Sequence, residues 1–333
     1  MVLKKQLIGV PVLLLVFLEG AWGAPPVGLE WSAGFSLPQL ADGHAAIGVG
    51  APFFGGHNGV ALLAGGSNFP DVPLLKGGKK RYRAEIYALP QGGTNWVRAG
   101  QLSAPCAEGM SATTPRGVVC VGGSVDGKPT SRVFLLTWDA VQGRAVETAL
   151  PDFPCGVRLG AAAARDNRVF VAGGECTKEL PGDVWTLDVD EPQAGWSPLP
   201  ALPGVKGRMQ PVAFVQNGDQ KKTYLYAIGG YARRTAEGGD GSTNRPPALS
   251  AVEGRTPRGG VPSGDRSAEL YALTDGYAYD LAQPAESGRW LPVSPALPKG
   301  FSGPAWPLIG AKCLAVGDQH ALVFGGLDAA YFD

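Results

Sequence analysis

Arg168-Val-Phe-Val-Ala-Gly173-Gly174 is the stretch that decides the fold, because a short apolar run ending in two glycines occurs five times. The first glycines of successive pairs are 57, 51, 56 and 96 residues apart. The last interval equals one repeat plus an insertion of about 40 residues, and such self-similarity is typical of repeat architectures. The other copies are Gly59-Val-Ala-Leu-Leu-Ala-Gly65-Gly66, Gly117-Val-Val-Cys-Val-Gly122-Gly123, Tyr224-Leu-Tyr-Ala-Ile-Gly229-Gly230 and His320-Ala-Leu-Val-Phe-Gly325-Gly326.

The same kinds of segment flank each pair of glycines. A small-residue strand precedes it, as in Gly160-Ala-Ala-Ala-Ala164, and a strand with alternating aromatics follows, as in Asp183-Val-Trp-Thr-Leu-Asp188. A tryptophan strand near a Leu-Pro turn closes the unit, as at Trp196. Four short strands per unit predict an all-β, kelch-repeat β-propeller over residues 24–333. In this interpretation the glycines let the backbone crowd toward the central channel, and the aromatic residues pack between blades.

Composition excludes several classes of protein. The 333 residues include 29 Lys+Arg and 29 Asp+Glu, so the chain lacks the basic excess that a nucleic-acid binder or a protein of acidic membranes requires. Hydrophobic residues make up 44%, enough for a core, and 50 Gly with 29 Pro call for many turns. Oligomeric state cannot be predicted from these features.

The first 23 residues have the pattern of a secretory signal. Lys4 and Lys5 precede an apolar run from Leu7 to Leu18, and small residues follow up to Ala24. We therefore expect cleavage near Gly23 and a mature protein in the periplasm or outside the cell, free of the membrane. An uncleaved anchor is the alternative, but the run is short for a membrane span.

Residues 238–265 interrupt the last interval with almost no large apolar side chain. Because nothing in this segment favours a strand, we expect an exposed, mobile insertion between the second and third strands of one blade.

Cysteine and histidine usage gives little support for a metal or redox centre. Five cysteines, an odd number, lack C-x-x-C spacing, and the chain has three histidines. Nucleophile-elbow and phosphate-loop motifs are also absent from the sequence. We expect no cofactor and no metal, and we interpret His57 as part of a hairpin turn.

One block is more specific than the repeat itself. Gly65-Gly-Ser-Asn-Phe-Pro-Asp71, followed by Lys76-Gly-Gly-Lys-Lys80 and Glu85-Ile-Tyr87, resembles the bacterial N-acetylneuraminate epimerases, or sialic acid mutarotases, in their cyclically permuted branch. The resemblance implies a six-bladed propeller, an exported location and a cofactor-free isomerase that interconverts the α and β anomers of N-acetylneuraminate.

The sequence departs from that family in its number of repeats. Five double-glycine units are visible where the resemblance implies six blades, and the last unit lacks the aromatic and tryptophan strands that should follow. The missing part would include the blade with the family's proposed catalytic Glu and Arg. Our interpretation is therefore that the last blade is incomplete because the chain is truncated at Asp333.

The chemistry of mutarotation suggests which residue types to look for. Opening the pyranose ring requires a base for the anomeric hydroxyl proton and an acid for the ring oxygen, which one or two carboxyl groups can supply. The sugar carboxylate favours an arginine, whose planar fork binds it through two hydrogen bonds.

Charged residues just ahead of the small-residue strands are the best candidates for such a site. Glu108, Arg158 and Arg208 hold similar places in three successive repeats, which suggests positions at the mouth of the channel. We expect Glu108 to act as acid and base and Arg158 or Arg208 to bind the carboxylate. Glu175 is a possible second carboxylate, or a partner of a nearby lysine. Asn68 is a candidate sugar ligand or an Asx turn.

Two functions from different classes fit these observations. The first is an exported sialic acid mutarotase. The second is a noncatalytic kelch propeller that binds a glycan or a protein partner. Convergence of Glu108, Arg158 and Arg208 would favour the enzyme, whereas side chains that splay into solvent would favour the binding module.

Overall fold

The computed structural model describes residues 13–16, 34–39, 46–218, 221–234, 269–285, 287–293, 308–316 and 320–324. These residues form 27 β-strands and two short 3-10 helices, Leu74–Lys76 and Pro192–Ala194. Neither helix is long and apolar enough to span a membrane, a finding that covers the described residues only. The predicted insertion at 238–265 lies outside the described residues.

Four sheets share one plan, in which four antiparallel strands follow one another in chain order. We call these sheets blades 1 to 4. Blade 1 contains β2 (Phe53–His57), β3 (Val60–Ala64), β6 (Glu85–Pro90) and β7 (Val97–Gln101). Blade 2 contains β8 (Met110–Thr114), β9 (Gly117–Val121), β12 (Val133–Asp139) and β13 (Arg144–Leu150). Blade 3 contains β15 (Ala161–Arg165), β16 (Arg168–Ala172), β18 (Val184–Asp188) and β19 (Ser197–Pro198). Blade 4 contains β20 (Val212–Asn217), β21 (Thr223–Ile228), β24 (Gly276–Asp280) and β25 (Trp290–Pro292).

Short two-stranded ribbons lie between the second and third strands of the blades, directly after each double glycine. They are β4 (Ser67–Asn68) with β5 (Arg81–Tyr82), β10 (Ser124–Val125) with β11 (Lys128–Pro129), and β22 (Tyr231–Arg234) with β23 (Glu269–Ala272). In blade 3 the corresponding strand, β17 (Glu175–Cys176), pairs instead with β14 (Val157–Arg158), which precedes the blade. The ribbons and the segments that lead into each blade therefore lie at the same end of the sheets.

A fifth sheet follows blade 4. It pairs β26 (Lys312–Val316) with β27 (His320–Phe324), and β1 (Leu13–Val16) adds a third strand beside β27. The strand β1 belongs to the predicted signal sequence, and cleavage of residues 1–23 stays a prediction.

The hydrophobic core is divided among the interfaces between neighbouring sheets. All five residues of β9 are buried, since the second strand of a blade is covered on both faces. Between blades 1 and 2, Phe53 meets Phe134 edge to face with ring centroids 5.3 Å apart. Equivalent apolar clusters join blades 2 and 3, blades 3 and 4, and blade 4 and the fifth sheet.

Tryptophan side chains link neighbouring blades, in agreement with the prediction that aromatic residues pack between blades. Trp196 of blade 3 donates its indole N–H to the carbonyl of Pro151, which follows blade 2, at 3.0 Å. Trp290 repeats this contact one blade later, on the carbonyl of Pro200 at 2.8 Å. Each ring thus buries its apolar body and satisfies its single donor on the preceding blade.

The double glycines allow the backbones of neighbouring blades to approach each other closely. Gly122 and Gly123 have φ of 62° and 104°, and a Cβ on Gly122 would collide with the carbonyl oxygen of Val157 in the segment leading into blade 3. Gly123 N–H donates to that same oxygen at 2.7 Å. The backbone that these glycines admit belongs to the segment leading into the next blade, and our expectation that they also crowd toward the central channel stays a prediction.

A second repeated contact is a backbone hydrogen bond that joins each sheet to the next at the same position. Glu108 N–H donates to Ala51 O at 3.0 Å, Leu159 N–H to Glu108 O at 2.9 Å, Gln210 N–H to Leu159 O at 2.6 Å and Gly310 N–H to Gln210 O at 2.9 Å. All five residues have positive φ, between 48° and 65°. They are five copies of one structural position, two residues before the first strand of each sheet.

We predict that His57 makes the protein less stable in acid. The backbone N–H of Trp138 in blade 2 donates to Nδ1 of His57 in blade 1 at 2.9 Å, and burial lowers the pKa of His57 below 6.5. Since the folded state favours neutral imidazole, its contribution is complete above about pH 6.5 and is lost as the pH falls through the lowered pKa. The melting temperature should therefore drop between pH 7.5 and pH 5.

The matched variant is His57→Asn, whose amide oxygen can accept the same hydrogen bond without titrating. Its melting temperature should fall less over this range than that of the wild type. Equal falls in the two proteins would contradict the assignment.

Candidate functional site

Charged and polar side chains from four consecutive sheets meet at the end of the blades that carries the ribbons. We call this group the charged cluster. It joins the segments leading into blades 2 and 3 to the residues that follow three of the double glycines. Its members are Lys80, Glu108, Ser124, Arg158, Glu175 and Arg233.

Glu108 lies at the centre of the charged cluster. Ser124 Oγ donates to Glu108 Oε2 at 2.7 Å, Lys80 Nζ contacts Oε1, and Arg158 Nη1 lies 3.4 Å from Oε2. Burial by itself would raise the pKa of Glu108, but the hydrogen bonds from Lys80 and Ser124 and the charges of Lys80 and Arg158 outweigh it and lower the pKa. The group is therefore a carboxylate at neutral pH.

Arg158 is held between two carboxylates. The register of β14 and β17 sets it opposite Glu175, whose Oε2 accepts from Arg158 Nε at 2.7 Å, while Nη1 is directed toward Glu108. On the far side of Glu175, Arg233 Nη2 donates to Oε1 at 3.2 Å. The guanidinium of Arg158 is thus oriented from two sides by groups on different blades.

The charged cluster carries three cations (Lys80, Arg158 and Arg233) and two carboxylates (Glu108 and Glu175), an excess of one positive charge. The side chains remain partly exposed, from 14% for Glu108 to 47% for Arg233, so a ligand can reach them. The ring of Tyr82 lies 5.2 Å from Lys80 Nζ. A small anion with hydroxyl groups would therefore find both charge and hydrogen-bond partners here.

The structure brings together three of the predicted site residues, Glu108, Arg158 and Glu175. Their roles stay predictions, but their convergence is the geometry that the enzyme hypothesis requires. Asn68 is buried in β4, and its Oδ1 accepts from Arg83 Nε at 3.0 Å. It forms a strand rather than the Asx turn we considered, and its role as a sugar ligand also stays a prediction.

Arg208 does not join the others. Its side chain is fully buried and forms two parallel hydrogen bonds with the Asp275 carboxylate, both 2.8 Å long, and a third to the carbonyl of Gly229 at 2.7 Å. The expected position at a channel mouth beside Glu108 is therefore wrong. With its charge neutralised inside blade 4, Arg208 stabilises the fold instead of facing a ligand.

Arg208 lies apart from Glu108 and Arg158 because the three residues precede the first strand of their blades by different numbers of residues. Counting back from the first residue of each blade, Glu108 lies two residues before β8, Arg158 three before β15 and Arg208 four before β20. Arg208 O accepts from Gly174 N–H, as Val157 O accepts from Gly123 N–H. The three residues thus occupy three different positions of the repeat, not the similar places that the sequence suggested.

Sequence reasoning missed Lys80, Ser124 and Arg233. Lys80 belongs to the specific block but received no role, and Ser124 follows its double glycine as Glu175 does. Alignment on the glycine pairs would have identified Ser124. No signal in the sequence identified Arg233, because its partner Glu175 lies 58 residues away on another blade.

An open cavity of about 530 Å³ lies beside the charged cluster, lined by ribbon β10–β11 together with Gly156 and Thr177. Ser124 belongs to the charged cluster and its neighbour Val125 lines the cavity, so a ligand on the cluster could extend along this ribbon. Among the described residues, no group of three or more His, Cys, Asp or Glu could hold a metal ion.

Comparison with solved structures supports the class of protein that the blades define. The described sheets are those of a β-propeller, and the chain superposes on the protein reported as "Structure of YjhT" with a TM-score of 0.55 at 11% identity, over 83% of this chain and 76% of that one. The number of blades is not established by this match.

Comparison with curated proteins identifies the particular relatives. A segment of 119 residues is 34% identical to the N-acetylneuraminate epimerase of Vibrio cholerae, covering 33% of this chain and 30% of that protein. The epimerases of Pasteurella multocida and Yersinia pestis are 30% and 32% identical over 124 and 120 residues. The chain thus matches about a third of the length of these relatives, and the resemblance inferred from the sequence is confirmed to that extent. No family model matches the chain.

The two arginines should respond differently to substitution. Arg208→Met removes two hydrogen bonds to the Asp275 carboxylate, which is about one third exposed, and one to the Gly229 carbonyl, so the free energy of unfolding should fall by about 2 kcal/mol. Arg158→Met should change it by less than about 1 kcal/mol, because Lys80 and Arg233 still compensate the two partly exposed glutamates. Urea unfolding of both variants measures the difference, and equal losses would refute the division into a structural and a site arginine.

Proposed function

We propose that this protein is an exported sialic acid mutarotase that interconverts the α and β anomers of N-acetylneuraminate. The observation that carries the proposal is the charged cluster, where Arg158 lies between Glu108 and Glu175 with one positive charge in excess. The similarity to N-acetylneuraminate epimerases over a third of the chain supports sialic acid as the substrate. Export rests on the signal pattern of residues 1–23.

The charge of the cluster suits a sugar acid with a single carboxylate. Such a substrate would neutralise the excess positive charge by pairing with Arg158, whose Nη1 reaches Glu108 only at 3.4 Å, or with the more exposed Arg233. Glu175 would continue to hold Arg158 through Nε and leave the outer edge of the guanidinium for the ligand. The sugar would then be bound with its anomeric carbon beside Glu108.

Glu108 would move the proton. As a carboxylate, it takes the proton from the anomeric hydroxyl, the bond between the anomeric carbon and the ring oxygen breaks, and the protonated Glu108 passes the same proton to the ring oxygen, giving the open-chain ketone. Rotation about the adjacent carbon–carbon bond and reclosure on the opposite face give the other anomer. A substrate carboxylate that shares the charge of Arg158 would raise the pKa of Glu108, so that Glu108 holds the proton more readily between its removal from the anomeric hydroxyl and its transfer to the ring oxygen.

These roles rest on geometry, because the family's proposed catalytic pair has no matching position in the five repeats. Of the predicted site residues, Glu108, Arg158 and Glu175 come together, and their arrangement supports one base and one anion-binding arginine.

The test is proton NMR of freshly dissolved α-N-acetylneuraminate, with the α and β resonances followed over minutes. The protein should accelerate the approach to the same equilibrium. Glu108→Gln removes the base and should lower the catalysed rate at least about 100-fold. Arg158→Lys should mainly raise KM, about 10-fold or more, because a lysine cannot supply the planar fork.

Two exposed residues offer matched controls. Glu179→Gln changes an ion pair on the surface, and Arg116→Lys does the same at the opposite end of the blades, so both variants should retain wild-type rates. An unchanged anomerisation rate with folded wild-type protein would overturn the proposal. Binding of the sugar without acceleration would instead support the noncatalytic binding module.

A further inference from the structure

The open cavity beside the charged cluster continues the strand face that carries Arg158 and Glu175. The register of β14 and β17 sets these two residues opposite each other. Two residues further out the pairing continues, since Thr177 N–H donates to Gly156 O at 2.8 Å and Gly156 N–H donates to Thr177 Oγ1 at 3.0 Å. Because side chains alternate between the two faces of a strand, Gly156 and Thr177 share the face of the ion pair. Both line the cavity, which therefore begins about 7 Å along the strands from the ion pair.

The other wall of the cavity is ribbon β10–β11, which also contributes to the charged cluster. Ser124 of this ribbon belongs to the cluster, and most of the residues from 125 to 131 line the cavity. The two walls meet at a backbone contact, because a Cβ on Gly156 would lie only 2.8 Å from the carbonyl oxygen of Pro129. The charged cluster and the cavity are thus two parts of one groove between the same pair of elements.

The lining of the cavity is polar and has no net charge. Thr130 and Thr177 each accept a backbone N–H through Oγ1, at 3.2 and 3.0 Å, and can still donate their own proton. Ser131 Oγ donates to a carboxylate at 3.1 Å and can still accept. Asp126 and Lys128 contribute one charge of each sign. Such a surface suits an uncharged chain of hydroxyl groups better than an apolar or a singly charged group.

We propose that the cavity binds the polyol tail of the sugar acid whose carboxylate the charged cluster holds, and that it selects sugar acids with a long hydroxylated tail over those with a truncated one. The inference rests on the proposed function, in which Arg158 pairs with the sugar carboxylate. In N-acetylneuraminate the glycerol tail is attached to the ring carbon on the other side of the ring oxygen from the anomeric carbon. The tail therefore starts close to the carboxylate, and a tail that follows the strand face from Arg158 reaches Thr177.

A second anchor suits this reaction because its intermediate is an open chain. Once the ring opens, the carboxylate at one end and the tail at the other are joined only by a flexible chain of carbon atoms. The hydroxyl that recloses the ring is carried by the carbon next to the tail, so a tail held beside Thr177 keeps that hydroxyl near the carbonyl carbon. Both contacts are common to the two anomers, so the anomeric carbon changes configuration between two fixed ends.

The experiment compares the binding of two sugars to the full chain. Dissociation constants are measured by saturation-transfer NMR for N-acetylneuraminate and for its seven-carbon analogue, which lacks the last two carbons of the tail but keeps the carboxylate, the anomeric hydroxyl and the N-acetyl group. The analogue should bind about 10-fold more weakly, because the hydrogen bonds of two hydroxyl groups are lost. Saturation transfer to the tail protons of the full sugar should be strong.

A variant that fills the cavity tests the location of the tail. Thr177→Trp introduces a bulky ring at an exposed lining position, so it should weaken binding of the full sugar about 10-fold and bring the two dissociation constants together. Lys178→Trp is the matched control, because it places the same ring at the next exposed residue, which is not part of the lining. This control should keep the wild-type ratio of the two constants.

The outcomes separate this inference from the proposed function. Equal dissociation constants of the two sugars on the wild type, with anomerisation still accelerated, would overturn the role of the cavity alone, as would Thr177→Trp with an unchanged ratio. The expected ratio without acceleration would support the cavity and count against the mutarotase. Failure of both sugars to bind would overturn both. If Thr177→Trp does not fold, the comparison of the two sugars on the wild type decides.

Discussion

The close approach of each blade to the backbone of the next is the constraint on which the rest of the structure depends. The first glycine of every described pair lies against a carbonyl of the following blade's leading segment, and the second donates its N–H to that oxygen, as Gly123 does to Val157. A side chain at the first glycine would push the neighbouring blade away and open the apolar interfaces that form the core. Because the contact joins backbone atoms only, it costs no side-chain entropy. The residues around it can therefore vary widely.

The same contact also determines which residues of the leading segments reach the charged cluster. Once the carbonyl of a leading segment is fixed on the glycines, the positions that follow it have different surroundings. Val157 and Arg208 share the first position and are buried, whereas Arg158, one residue later, faces the charged cluster. Glu108 occupies the next position, where positive φ directs the chain into the first strand of the blade. A shift of one residue therefore separates the buried Arg208 from Arg158 in the charged cluster.

The fold could be predicted from the sequence because the spacing of the glycine pairs, the small-residue strands and the tryptophan turns all indicate one architecture. Glu108 and Arg158 could be identified because charged residues recur just ahead of the small-residue strands, and Glu175 because it directly follows a double glycine. Arg208 could not be separated from them, since its environment depends on register and on Asp275, which lies 67 residues away. Lys80 and Arg233 were missed for the same reason. Contacts between ribbons of different blades leave no trace in local sequence.

The balance of charges in the cluster argues for a ligand over a purely structural role. Partly buried ion pairs lose solvation that their attraction only partly repays, so holding three cations and two carboxylates together gains little stability. If stability were the purpose, a two-residue pair around one buried side chain, such as Arg208 with Asp275, would suffice, and the chain contains that arrangement one blade away. The charged cluster differs in keeping an uncompensated positive charge, a carboxylate with a lowered pKa and access from an open ribbon end. A small anion that carries hydroxyl groups would complement the described side chains of the cluster in both charge and hydrogen bonding.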